Sequence, residues 1–283
     1  MTRLIGIHLS YWQESWTDPL APLIEKAQRA GFDLAEFPLI FPDTLDCRAL
    51  RLELDRLSLK ASCGTGLSPD TDITHPDPGV RQAGLQHLRA CLQAAKTLGS
   101  PVLGGVTYAP WGIFPDTEDR GNRRARCIES LKEVTHFAEE TGVTLCMELL
   151  NRFEGYLINT VEQGLEIIAA VGSDYLKLHL DTFHLNIEAD KIGDAIRLAG
   201  DRLGHFHAVE NNRKVPGQGH IPWDEVVQAL DDIHYSGYVV SEAFVSPAGE
   251  VGRGLYIWRP LVSDLDQAAR QTADFLRKRF ANA

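Results

Sequence analysis

Residues Val143–Thr160 read VTLCMELLNRFEGYLINT. Their first seven alternate: Val143, Leu145, Met147 and Leu149 share one face, while Thr144, Cys146 and Glu148 share the other. A period of two marks a β-strand. The segment then turns into a polar loop carrying Asn151, Arg152 and Glu154. A carboxylate at a strand tip, followed by such a loop, is how parallel barrels furnish active sites. A lone strand-end glutamate is as well explained by a salt bridge, so the rest of the chain must supply the argument.

Outward from this stretch, apolar strand-like runs alternate with helix-periodic segments. The strands are expected at Leu4–Leu9, Phe32–Phe37, Leu59–Leu67, Val102–Thr107, Val143–Leu149, Leu176–Asp181, His205–Val209 and Tyr238–Phe244. Helices are expected at Ala21–Ala30, Leu45–Leu57, Val80–Leu98, Arg123–Thr141, Val161–Val171, Ile192–Ala199, Trp223–Ile233 and Leu265–Phe280. Gly31, Gly99, Gly142, Gly172 and Gly237 stand where helices should end. Eight strand–helix repeats imply a parallel sheet, and this length suits a closed (β/α)₈ TIM barrel, one domain over residues 1–283. An open doubly wound sheet would carry a Gly-rich loop after its first strand. Here that strand runs into His8, Leu9, Ser10, Tyr11 and Trp12, and Gly64 and Gly66 lack the third glycine.

Composition agrees with a soluble globular protein able to bury a sizeable core: 44% hydrophobic, 24% charged, with a formal net charge of -11. That charge argues against a nucleic-acid partner. No apolar run is long enough for a membrane span, and no leader is evident, so a cytoplasmic address is expected. Cys47, Cys63, Cys91, Cys127 and Cys146 form no CxxC pair and read as reduced, small buried hydrophobes.

Strand parity then sorts the polar residues. In Leu176–Asp181, Leu176, Leu178 and Leu180 would face the helices, which turns Lys177, His179 and Asp181 toward the lumen. Glu148 points inward by the same rule. Glu148, Asp181, His207 and Glu242 are spaced by 33, 26 and 35 residues, about one strand–helix unit each. They therefore come from four successive strands and can converge at one mouth. Three carboxylates and one imidazole suit a divalent ion of intermediate hardness, Mn²⁺, Co²⁺ or Mg²⁺. Each has a plainer reading: Asp181 as a cap, His207 as a core histidine on a carbonyl, Glu242 as a partner of an arginine. Their common level on one barrel face favours the joint reading. His179 and His205 are expected to orient ligands or to fill the lumen, and Glu36 to be polar filling.

The segments ELLNRFEGYLINT, HLDTFHLNIE and GHFHAVENNRKVPGQG, with the last strand bearing Glu242, resemble the ketose 3-epimerases. These are the D-tagatose and D-psicose (allulose) 3-epimerases, xylose-isomerase-like TIM barrels, and the resemblance runs from YWQESW to Arg259. It implies one divalent cation per chain, Mn²⁺ foremost and Co²⁺ or Mg²⁺ next, held by Glu148, Asp181, His207 and Glu242, with no organic cofactor. Glu148 and Glu242 would be the acid/base pair. Glu154, His184 and Arg213 would hold sugar oxygens, and Trp16, Trp111 and Phe244 would form an apolar wall. Plainer readings are a Glu154–Arg152 ion pair, a capping His184 and a solvated Arg213. His8 stands where many relatives carry an aromatic, Lys214 is an extra base, and Tyr108–Pro115 is a variable loop. All three are expected where substrate is read. The implied partner is a small ketose, and the implied assembly a homodimer or homotetramer.

Removing the proton beside a ketose carbonyl and returning it on the opposite face needs two carboxylates and a polarising cation. The alternatives on the same barrel are an aldose–ketose or hydroxypyruvate isomerase and an inosose-type dehydratase. A multi-zinc DNA-repair endonuclease would need more histidines and a basic groove. A silent sugar-binding barrel would not need both carboxylates.

Overall fold

Eight parallel strands pair in chain order and close on themselves. They are β1 (Ile5–His8), β2 (Leu34–Pro38), β3 (Lys60–Leu67), β4 (Val102–Pro110), β5 (Thr144–Glu148), β6 (Leu176–Asp181), β7 (Leu203–His207) and β8 (Val239–Ser241). Closure removes the unpaired edges that an open sheet would expose. The computed structural model describes residues 3–281; Met1, Thr2, Asn282 and Ala283 of the expected domain lie outside the described residues.

The outer ring comprises α1 (Ala21–Ala30), α2 (Cys47–Leu57), α3 (Pro78–Leu98), α4 (Arg120–Thr141), α5 (Val161–Val171), α7 (Ile192–Ala199), α8 (Trp223–Asp232) and α10 (Leu265–Leu276). Two further short helices, α6 (Thr182–Glu188) and α9 (Gly249–Gly254), sit in loops after β6 and β8. The sequence reading did not anticipate them. Helix α6 is too short to show a helical period, and it starts because Asp181 Oδ1 accepts the Phe183 backbone N–H at 2.7 Å.

The outward-facing Leu176, Leu178 and Leu180 are fully buried against the helices, as parity requires. Gly31, Gly99, Gly142 and Gly172 cap their helices with φ between 72° and 96°, where a side chain would be strained. Gly237 is not a cap: α8 ends at Asp232 and His234 takes the left-handed turn. Strand β7 begins at Leu203, two residues earlier than expected, because Gly204 interrupts the apolar pattern without interrupting the strand. Strand β8 stops at Ser241, so Glu242 and Phe244 lie beyond the sheet, on the loop that leaves it. All five cysteines are free, and four are buried. Among the described residues no helix is long and apolar enough to cross a membrane.

Candidate active site and metal centre

Glu148 ends β5, Asp181 ends β6 and His207 ends β7; Glu242 is the first residue after β8. The register sets them level: Glu148 lies opposite His179, and Asp181 opposite His207. One potential ligand atom from each of the four lies within 4.8 Å of the other three. Within this group, Glu148 Oε1 and His207 Nδ1 are buried without any hydrogen-bond partner. Orphaned acceptors converging on one point fit a cation, and this donor set fits a hard-to-intermediate dication.

Glu36 holds the imidazole in place. Its Oε1 lies 2.6 Å from His207 Nε2 and its Oε2 lies 2.6 Å from His205 Nε2. An ionised carboxylate only accepts, so His207 gives its Nε2 hydrogen to Glu36 and leaves Nδ1 free for the cluster. The expectation that Glu36 merely fills the lumen is therefore corrected. Its inward place on β2 was the available signal. His207 is likewise not satisfied by a carbonyl. Asp181 does take its capping reading, with Oδ1 on α6, while Oδ2 stays in the cluster and faces Arg213 Nη1 at 3.5 Å. His179 fits below because Gly104 and Gly105 leave room; a Cβ on Gly104 would lie 3.0 Å from its Nδ1, which accepts the Gly105 N–H.

Burial sets the electrostatics, and the neighbours split them. Burial, reinforced by Glu242 and Asp181, pushes Glu148 well above the ordinary carboxylate range. Burial also pushes Asp181 up to about 6. Glu242 is half-buried, and His207, His8 and Arg213 outweigh the effect of burial and pull it down to about 2. Two neighbouring carboxyls whose surroundings push their proton affinities apart suit a proton relay. Burial also lowers His184 to about 4 and depresses His8, so both imidazoles are neutral.

A cavity of about 540 Å³ opens over this cluster, and His8, Trp16, Trp111, Glu154, His184, Arg213 and Phe244 all lie on its wall. The residues expected to hold the sugar or wall it are thus brought together, but of the loop Tyr108–Pro115 only Trp111 lies on that wall, and Lys214 does not, contrary to expectation. Glu154 does not pair with Arg152, which instead meets Glu188 at 2.9 Å. Glu154 accepts from Trp111 Nε1 at 3.1 Å and from Asn151 Nδ2 at 2.8 Å. Asn151 also donates its backbone N–H (3.2 Å) to His184 Nδ1, so the ring hydrogen of His184 sits on Nε2, 3.7 Å from Glu148 Oε1.

Arg213 adopts a left-handed φ of 58°, stacks 3.9 Å over the Phe183 ring and donates to the Glu242 carbonyl at 2.8 Å. Its loop is tied by a residue that the sequence reading passed over. The buried carboxylate of Glu210 accepts from the backbone of Asn211, Gly217 and Ile221 and from Trp223 Nε1, at 2.7–3.2 Å. Asn151 and Glu210 were visible only as polar letters in loops; nothing local announced that each would saturate several donors.

The family model described as xylose isomerase-like TIM barrel matches residues 24–279. A D-psicose 3-epimerase of Ruminiclostridium cellulolyticum is 39% identical over 281 residues, 96% of either chain. An L-ribulose 3-epimerase of Methylomonas sp. is 32% identical over 97% of either chain. The crystal structure of a D-psicose 3-epimerase with D-tagatose, from Clostridium cellulolyticum, aligns with a TM-score of 0.93 at 37% identity, covering 98% of this chain and 99% of that one. With its cluster of three carboxylates and an imidazole at the mouth of a closed barrel, the chain belongs to the ketose 3-epimerases of the xylose isomerase-like TIM barrels.

Proposed function

We propose that this protein epimerises free ketoses at carbon 3, with Glu148, Asp181, His207 and Glu242 holding one divalent cation. The carrying observation is the meeting of Glu148 and Glu242 in one cluster at the barrel mouth, with their ligand atoms within 4.8 Å of each other; burial raises the first and His207 lowers the second. When bound, the dication would polarise the ketose carbonyl and offset the charge that develops on proton loss. Mn²⁺ suits the donor set best, with Co²⁺ or Mg²⁺ as substitutes.

The residues divide the work. The ionised carboxylate of the pair takes the carbon-3 proton from one face, and the protonated partner returns one to the other. The reverse reaction exchanges their roles. Arg213, pinned on Phe183 and directed across Glu242 and Asp181, serves as a donor to a sugar oxygen. His184 offers Nε2–H beside Glu148, and Glu154 accepts from a hydroxyl. Trp16, Trp111 and Phe244 cover the carbon skeleton and exclude water. A small ketose fits the cavity, and such a site needs neither an organic cofactor nor nucleic acid.

The exposed Tyr256 and Trp258 near the mouth support self-association as a dimer or tetramer, which light scattering would read. The free cysteines suit a reducing cytoplasm. The function is tested by incubating Mn²⁺-loaded protein with D-fructose, D-psicose, D-tagatose or L-ribulose and separating the products. Each sugar should give its carbon-3 epimer. Glu148→Gln and Glu242→Gln should each give none, and substantial epimer from either variant would remove that residue from the pair.

A further inference from the structure

Two imidazoles flank the carboxylate pair in the same way. His184 has its Nδ1 occupied by Asn151 and holds Nε2 at 3.7 Å from Glu148 Oε1. His8, at the tip of β1, has its Nδ1 2.5 Å from Ser10 Oγ and holds Nε2 at 3.8 Å from Glu242 Oε1. Ser10 Oγ makes no other hydrogen bond among the described residues, and both side chains are buried. If Nδ1 carried the ring hydrogen, the hydroxyl proton of Ser10 would be left buried and unmet. The satisfied arrangement is Ser10 O–H donating to Nδ1, which puts the hydrogen on Nε2.

That hydrogen has no protein acceptor. A separation of 3.8 Å exceeds a direct hydrogen bond to Glu242, and Nε2 makes no other bond among the described residues. His8 lines the cavity together with Glu242 and Phe244, whose ring centre is 6.4 Å from that of the imidazole. The space before it is kept open by Gly64, where a Cβ would lie 3.5 Å from Nε2. A donor fixed by a buried neighbour, aimed into an open cavity beside a catalytic carboxylate, is a place for a neutral hydroxyl oxygen. An aromatic hydrocarbon at this position would have the same bulk and no donor.

We propose that His8, with its tautomer fixed by Ser10, is a specificity-determining residue that donates Nε2–H to one hydroxyl of the ketose on the Glu242 side, as His184 does on the Glu148 side. The inference rests on the ketose reading above and adds to it which chain atom reads that hydroxyl. Ser10 touches no substrate; it is a positioning residue.

The test uses the full-length, Mn²⁺-loaded protein and its His8→Phe and Ser10→Ala variants. Turnover and calorimetric binding are measured with D-fructose and with its 1-, 4-, 5- and 6-deoxy analogues. The wild type should disfavour one analogue by about tenfold or more in kcat/KM. His8→Phe should lower kcat/KM for D-fructose by a similar factor and lose the discrimination against that one analogue, keeping it against the others. Ser10→Ala should move the same ratio in the same direction by less. Unchanged discrimination against every analogue in His8→Phe overturns the inference while the epimerase reading stands. If the wild type turns over no ketose, the epimerase reading falls and binding decides His8: equal affinity of wild type and His8→Phe for D-fructose, or no binding to either, overturns it.

Discussion

Replacing Glu36 by glutamine changes one oxygen into an amide and tests the most consequential contact outside the cation cluster. Glu36 accepts from two imidazoles at once, His205 and His207, each at 2.6 Å and each fully buried. Glutamine can accept from one of them; its amide then faces the other as a donor. One histidine must change tautomer, and if that is His207, the hydrogen moves to Nδ1, the atom turned toward Glu242 at 3.7 Å. Partners that orient metal-bound imidazoles are worth about 10–100-fold in metal affinity, or about 1.4–2.7 kcal/mol. Glu36→Ala removes both charge-assisted bonds, at about 1.5–3 kcal/mol each. The sum, about 3–6 kcal/mol, approaches the roughly 5–15 kcal/mol stability of an ordinary domain. Alanine should therefore depress the melting temperature sharply, whereas glutamine should leave a folded protein that binds metal weakly. Chelator-stripped wild type and Glu36→Gln would be titrated with Mn²⁺ by calorimetry, with circular dichroism confirming the fold. Equal Mn²⁺ affinity in the two proteins would refute the role assigned to Glu36.

The other expectations concern the loops and the pH response. Arg213→Lys should cut kcat/KM by roughly tenfold or more, because an ammonium cannot stack on Phe183 while reaching the Glu242 carbonyl; steady-state kinetics on D-fructose decides. Glu210→Ala should orphan four donors and release the Arg213 loop, raising KM more than it lowers the melting temperature of the barrel. An equal loss of folding and binding would count against a loop-specific effect. Metal-free protein should respond to acid with a definite sign. Asp181 titrates near 6 when folded against an ordinary 3.8, so its contribution, on the order of 3 kcal/mol, is present below pH 4 and lost as pH rises through 6. Glu148, also raised, adds in the same direction, while Glu242, lowered from 4.5 to about 2, contributes stability that is full above about 4.5 and lost as pH falls from there through 2. Melting curves of stripped protein between pH 4 and 7 should show the decline, and saturating Mn²⁺ should abolish it.

Strand parity carried most of the architecture. Leu176, Leu178 and Leu180 could only face helices, and that one fact turned His179 and Asp181 inward and set the level of Glu148. The four cluster residues were legible because three end a strand, Glu242 directly follows one, and the strands follow in order. What could not be read was hydrogen-bond economy across the lumen. Glu36 on β2 meets His205 and His207 on β7, about 170 residues away in the chain, and no local period encodes that contact. Helix α6 escaped because its seven residues are held by Asp181, a side chain already assigned to the cluster. Asn151 and Glu210 escaped because their effect lies in the number of donors they satisfy, which depends on the folded loop. Lys214 was misplaced because loop residues have no parity; adjacency to Arg213 did not put it on the cavity wall.

The central claim is that Glu148 and Glu242 act on the proton at carbon 3. The most direct measurement is NMR of D-fructose and D-psicose after incubation with Mn²⁺-loaded protein in D₂O. Deuterium should appear at carbon 3 of both sugars, together with their interconversion. Deuterium confined to carbon 1, with an aldose as product, would contradict the account and place the chemistry between carbons 1 and 2.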